Sequence, residues 1–235
     1  MAWPGWRTYH AGMDSLLPPP GPGLATALRR GTATLHTEAE RSGIVQAILQ
    51  RRASRAGYAL LLRNLLPIYR AMERALRRLG PASDVAGWRR PELYRAEALA
   101  GDLAALAGPR WKLLLPLLPA GRRYAVRVRA AAAGRGTLLI AHAYARYLGD
   151  LSGGQVLRRL LGGALRLGPG ELRFYDFPAV ADPAALRDEL RATLDLAGAA
   201  LPRPGALIAE AQAAFRLNIA LSRAVLAAAP VPQEG

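Results

Sequence analysis

Leu138-Leu139-Ile140-Ala141-His142-Ala143-Tyr144-Ala145-Arg146-Tyr147-Leu148-Gly149-Asp150-Leu151-Ser152-Gly153-Gly154-Gln155-Val156-Leu157-Arg158-Arg159 is strongly helical at both ends and carries three glycines in its middle. Each glycine costs about 1 kcal/mol relative to alanine in a helix interior, so roughly 3 kcal/mol together. Something must offset that cost. Gly149 and Gly153 stand four apart on one helical face. Without Cβ atoms, the main chain there can approach a flat object closely and can bend. Asp150 lies beside the gap as a hydrogen-bonding group. The same spacing also suits a small-residue contact between helices, so the pattern predicts a glycine-broken helix without choosing its use.

A second informative stretch lies upstream: Leu28-Arg29-Arg30-Gly31-Thr32-Ala33-Thr34-Leu35-His36-Thr37-Glu38-Ala39-Glu40. At about 100° per residue, with Arg29 at zero, His36 falls near −20° and Glu40 near +20°. A cation, an imidazole and a carboxylate share one narrow stripe. A neutral imidazole can bind iron through one nitrogen while its other N–H seeks an acceptor, which Glu40 one turn on could supply. Arg29 could pair with an anionic group on the same ligand. Taken alone, the stripe equally suits a solvated face with an i,i+4 His/Glu pair.

Between and beyond these stretches, Ala, Leu and Arg dominate, and no segment alternates apolar and polar residues at period two. Helices are predicted over 24–42, 44–52, 54–79, 91–107, 110–118, 121–133, 136–162, 183–200 and 205–229. Asp182-Pro183 offers an N-cap with proline at the first helical position. The expectation is one all-α domain over 24–229. Residues 1–23 hold five prolines and two tryptophans and read as a disordered, proline-rich arm; 230–235 read as a flexible tail.

The 235 residues are 51% apolar, enough for a buried core. With no cysteine, disulfides, thiolate metal sites, iron–sulfur clusters and cysteine nucleophiles are excluded together. The three histidines are His10, His36 and His142, and no HExxH occurs, which argues against a histidine-built zinc site. No apolar run approaches 18 residues and no signal-peptide pattern is present, so the expectation is a cytoplasmic chain without a membrane anchor. The formal charge of +15, almost all of it from arginine, suits an acidic partner.

Tyr144–Arg158, YARYLGDLSGGQVLR, resembles the signature of the heme oxygenases, enzymes that cleave heme to biliverdin, carbon monoxide and iron. LRRGTATLHTEAE around His36 resembles the family's proximal helix. Gly108-Pro109-Arg110-Trp111, Phe174-Tyr175-Asp176-Phe177-Pro178 and Ala214-Phe215-Arg216-Leu217-Asn218-Ile219 resemble further family segments, in the family's order.

The resemblance implies an all-α fold with heme between a proximal helix and a kinked distal helix. It makes His36 the axial iron ligand, with Glu40 the carboxylate beside it. Gly149, Gly153 and Gly154 become the distal backbone that leaves room for O2. Asp150 and Arg146 become members of a distal proton-delivering network, Tyr144 a neighbour of the heme propionates, and Arg29, Arg187 and Arg191 the propionate anchors. Tyr69 and Asn218 match other pocket or network positions. Arg187 and Arg191 stand i,i+4 on one helix, so both can clamp one anionic edge. That orientation would favour the α-meso carbon. His142 has no ligand role in the family pattern and reads as structural, and His10 reads as solvated.

Arginine stands at Arg29 and Arg187 where mammalian members carry lysine, which keeps the charge and changes the geometry. Ser222 stands where some relatives carry an aromatic residue and predicts a slightly more open pocket. Without a flavin or nicotinamide motif, electrons must come from outside, from a ferredoxin or an NAD(P)H-dependent reductase, steered by the basic surface. Monomer is the expected state. Two other readings stand beside this one. One is a heme carrier or sensor on the same fold. The other is a basic helical nucleic-acid binder, against which the scattered arginine doublets argue.

Overall fold

The computed structural model describes residues 23–201 and 204–229. The arm up to residue 22, with His10, and the tail 230–235 lie outside the described residues. Helices α1 (Leu24–Glu40), α2 (Gly43–Leu49), α3 (Arg55–Arg78), α4 (Ala96–Ala107), α5 (Trp111–Leu114), α6 (Pro119–Ala131), α7 (Leu139–Ala143), α8 (Gly149–Leu165), α9 (Pro183–Ala200) and α10 (Pro204–Ala228) make an all-α architecture, with no strand among the described residues.

The centre of the molecule is α3. Its inward face buries Tyr58, Leu62, Leu65, Ile68, Tyr69, Met72 and Leu76 against α4, α6 and α10. Ser54 caps its start by accepting from the Gly57 N–H at 3.0 Å. Helix α10 runs along α1 and also supports α2, α6 and α7. The approach of α10 to α1 requires Gly31: a Cβ there would lie 2.7 Å from the Ile208 methyl. Gln212 fixes the same contact by donating to the Gly31 carbonyl at 2.8 Å. Asp182 caps α9, accepting from the N–H groups of Ala184 and Ala185, as its sequence predicts.

Three sequence expectations change. Residues 110–118 do not form one helix. A single turn, α5, is followed by extended Leu115, because Pro116 disfavours helical geometry in the residue before it. The distal helix is not broken at its glycines. Gly149 is α-helical (φ −63°, ψ −48°), and the irregularity is a π-helical turn over Tyr144–Leu148 immediately before it. Glycine tolerates helical dihedrals, and the register shift falls one turn upstream, where an extra residue is accommodated. Ser222 opens no pocket. It is buried, donates to the Ser42 carbonyl at 2.8 Å and accepts from the Val45 N–H at 3.1 Å, clasping the start of α2.

Candidate active site

Helices α1 and α8 do not pack closely on each other; α2 and α10 contact both walls, α10 through the π-turn on the α8 side. The floor on the α10 side is a small apolar cluster. Ala145 of the π-turn, Ala214 and Phe215 form it, and Leu35 and Ala39 of α1 and Tyr144 pack against it. The two sequence stretches that carried the reading therefore meet around one cluster.

On the α1 wall, His36 is more than half exposed, and its ring stands 5.8 Å from that of Phe215. Its Nδ1 lies 3.6 Å from Glu40 Oε1, which leaves Nε2 without a protein partner among the described residues. On the α8 wall, a Cβ added at Gly149 or at Gly153 would meet nothing within 4 Å, so both glycines border open space. Gly154 differs. Grouped with them in the sequence reading, it is buried, and its absent Cβ points at Tyr175, whose ring carbon would lie 3.0 Å away. Gly154 serves packing because its α-carbon faces inward on the helix, about 100° round from Gly153.

Behind the glycine face, Asp150, Arg146, Tyr69 and Asn218 come together. The Tyr69 hydroxyl donates to Asp150 Oδ2. Arg146 donates to the Tyr69 hydroxyl at 2.9 Å, to Asn218 Oδ1 at 2.8 Å and to Asp150 Oδ1 at 3.3 Å. Burial pushes the Asp150 carboxyl above the ordinary carboxylate value, against the pull of Arg146, the Tyr69 hydroxyl and Arg95. Burial likewise raises Tyr69 well above the usual phenol value. Burial opposes charge on Arg146, yet Tyr69 and Asp150 beside it hold its pKa above the ordinary guanidinium value. The result is a buried acid with a raised proton affinity, one residue from the open glycine face.

One edge of the slot is closed by α9, which reaches both walls. Arg187 donates to the Leu151 carbonyl of α8 at 3.1 Å, and Asp195, two turns on, accepts from the Ala25 N–H of α1 at 2.8 Å. Arg187 is thus fixed at the rim. Arg191 pairs with Asp188 on its own helix at 2.5 Å, and Arg29 is exposed on α1 with no ion pair among the described residues. The structure does not bring these two into contact with the network.

Sequence reasoning missed Glu210. It is buried, accepts from His142 Nε2 at 2.8 Å and pairs with Arg127. It also missed Glu73, which caps α4 by accepting from the Arg95 and Ala96 N–H groups. No local motif signals either partnership, since Arg127 and Glu210 are 83 residues apart.

The residues fit a heme. An imidazole with an unpartnered nitrogen on α1 and two glycines open to space on α8 flank the same apolar cluster, with a guanidinium at the α9 edge. Comparison with known proteins agrees. The heme oxygenase family profile matches residues 22–224. The chain is 36% identical to heme oxygenase 1 of Nostoc sp. over 83% of each chain. It is 38% identical to human heme oxygenase 1 over 84% of this chain and 70% of that one. The crystal structure of Synechocystis heme oxygenase-1 in complex with heme superposes with a TM-score of 0.80 at 34% identity, covering 87% of this chain and 92% of the other. With matching sequence and fold, the chain belongs to the heme oxygenase family.

Proposed function

We propose that the slot between α1 and α8 is where this heme oxygenase holds heme and opens it to biliverdin, carbon monoxide and iron. The observation that carries the reading is the open backbone at Gly149 and Gly153, with His36 on the facing wall and the Asp150 network behind. When bound, heme supplies the iron that takes up O2 and the meso carbon that is oxidised, so it is both cofactor and substrate.

The residues divide the work. His36 would offer Nε2 to the iron, and Glu40, its carboxylate 3.6 Å from Nδ1, would be the acceptor for the other ring N–H once the ligand fixes the imidazole. Gly149 and Gly153 leave space on the distal side that any larger residue would fill. Burial raises the proton affinity of the Asp150 carboxyl, and Tyr69 and Arg146, donating to its two oxygens, fix its orientation. Arg187, Arg191 and Arg29 are the cations that would anchor the propionates. Three cations against two carboxylates would fix the rotation of a bound heme, in the sense that favours the α-meso carbon. Tyr144 packs at the same slot wall.

Electrons come from an acidic ferredoxin or an NAD(P)H-dependent flavoprotein reductase, drawn by the +15 charge. Turnover with such a donor falls steeply as salt rises, and a flat salt response would contradict steering. The protein acts as a monomer.

Purified protein mixed with hemin and ascorbate tests the reading. An enzyme bleaches the Soret band and forms bile pigment, a heme carrier keeps the band, and a nucleic-acid binder acquires none. Asp150→Ala is expected to bind heme and yet lose at least about tenfold in biliverdin formation, with a gain of peroxidase-like oxidation of an added phenol. Biliverdin formed at the normal rate would remove Asp150 from the mechanism.

A further inference from the structure

Far from the slot in sequence, α5 carries two adjacent, strongly exposed leucines: Leu113 is 84% and Leu114 65% exposed. They project from a braced base. Trp111 beneath them is buried, with the Arg63 guanidinium 5.3 Å and the Lys112 ammonium 5.5 Å from its ring. The chain after the leucines is held by its own carbonyls: Arg63 donates to Leu115 at 3.2 Å, Asn64 to Pro116 at 3.2 Å and Arg122 to Leu117 at 3.1 Å. Two leucines on such a scaffold are not a floppy loop tip.

The charges that flank them in the sequence are of one sign. Every charged residue from 103 to 149 is positive, as is every one on α3 before Glu73. Arg63, Arg70, Arg110, Lys112 and Arg122 take part in no ion pair among the described residues, in contrast to Arg127 and Arg77 nearby in sequence. Arg63 is held below the ordinary guanidinium pKa by partial burial and then by the like charges of Arg70 and Arg122, so these cations crowd together. They have no counterion among the described residues.

We propose that the α5 tip is a peripheral membrane contact, in which Leu113 and Leu114 enter the interface of an anionic bilayer while Arg63, Arg110, Lys112 and Arg122 meet its headgroups. The apolar element is convex. A protein partner would need a matching pocket, whereas lipid closes around a protruding leucine of any shape. The uncompensated cations select an anionic surface over a zwitterionic one. No helix among the described residues is long and apolar enough to cross a membrane. Heme partitions into bilayers, and an enzyme resting on one meets its substrate there.

The test is co-sedimentation of the full chain with vesicles of phosphatidylcholine alone or mixed with phosphatidylglycerol. Wild type is expected to bind the mixed vesicles and to bind phosphatidylcholine at least about tenfold less. Both leucines are solvent-exposed, so L113S/L114S folds and takes up hemin as wild type does, and it loses at least about tenfold in vesicle binding. R110Q/K112Q loses roughly fivefold per charge at low salt, and the difference vanishes at high salt. Equal binding to both vesicle types, no binding to either, or unchanged binding by L113S/L114S would overturn the proposal. So would a concentration-dependent dimer abolished by L113S/L114S in a chain that ignores vesicles, which would make a second copy the occupant.

Discussion

His36 and His142 each stand beside a glutamate, and the two pairs are built for opposite ends. His36 and Glu40 lie one turn apart on α1, both more than half exposed, 3.6 Å from each other. His142 and Glu210 come from α7 and α10, both almost wholly buried, 2.8 Å apart, with Arg127 closing the pair from the surface. Glu40 lies beside the Nδ1 of its imidazole and leaves Nε2 open. Glu210 takes up the Nε2 of its own. A ligand histidine must keep one nitrogen both unspent and reachable; His142 Nδ1 has no partner among the described residues either, but it is sealed in the core, whereas Nε2 of His36 is open. Burial, by itself a tempting sign of importance, here marks the structural histidine.

The largest effect that tests this contrast is on heme. His36→Ala is expected to abolish the native ferric heme spectrum and to leave the fold of the heme-free protein within about 0.5 kcal/mol of wild type, because the side chain is exposed. His142→Ala is expected to do the reverse. Its absorption spectrum with hemin stays native, and thermal unfolding shows a loss of about 2–4 kcal/mol, since a buried ring and its bond to Glu210 are removed. Exchanged outcomes would overturn the assignment of the ligand.

How far the sequence revealed these roles follows from the range of the interactions. The His36 stripe and the Gly149–Gly153 face are spacings within one helix, so periodicity displays them. That Asp150, Arg146, Tyr69 and Asn218 form a single network is a fact about three helices, and only the family resemblance had grouped them. Glu210 showed nothing, because its meaning lies in Arg127 and His142, far away in the chain. The inward turn of Gly154 and the clasp made by Ser222 were likewise hidden: both depend on which neighbour arrives, Tyr175 in one case and α2 in the other. The π-turn replaced the expected glycine break for a related reason, since propensity predicts where a helix is weak and packing decides where its register shifts.

The next effect is one of stability and pH. Burial pushes Glu210 up, but the hydrogen bonds from His142 and Arg127 outweigh it and hold the carboxyl at about 2, against an ordinary value of 4.5. A carboxylate with a depressed folded-state pKa stabilises above its unfolded value and loses that contribution as pH falls. Glu210 therefore contributes about 3 kcal/mol above pH 4.5, lost progressively down to about pH 2. Glu210→Gln should unfold more easily at pH 7 by about that amount and should lose this part of the acid dependence. Urea melts at about pH 7, 4 and 2.5 measure it, and parallel pH profiles for the two proteins would show that the pair adds nothing.

The smallest effect belongs to the exposed partner. A 3.6 Å contact with both members open to water contributes about 0–1 kcal/mol, so Glu40→Gln should leave the heme-free protein unchanged within error. Its role is felt only through the ligand it orients. With heme bound, the side-chain amide of the E40Q variant still accepts from the imidazole N–H but without a full charge, so the ring becomes a weaker donor to iron. The expected result is a loss of no more than about tenfold in heme affinity, with a lower iron–imidazole stretching frequency in resonance Raman spectra of the reduced complex. The spectroscopic shift is the sharper measure, because a merely structural glutamate would leave it where it is. An unshifted frequency would confine Glu40 to the surface and leave His36 oriented by the Phe215 ring alone, 5.8 Å away.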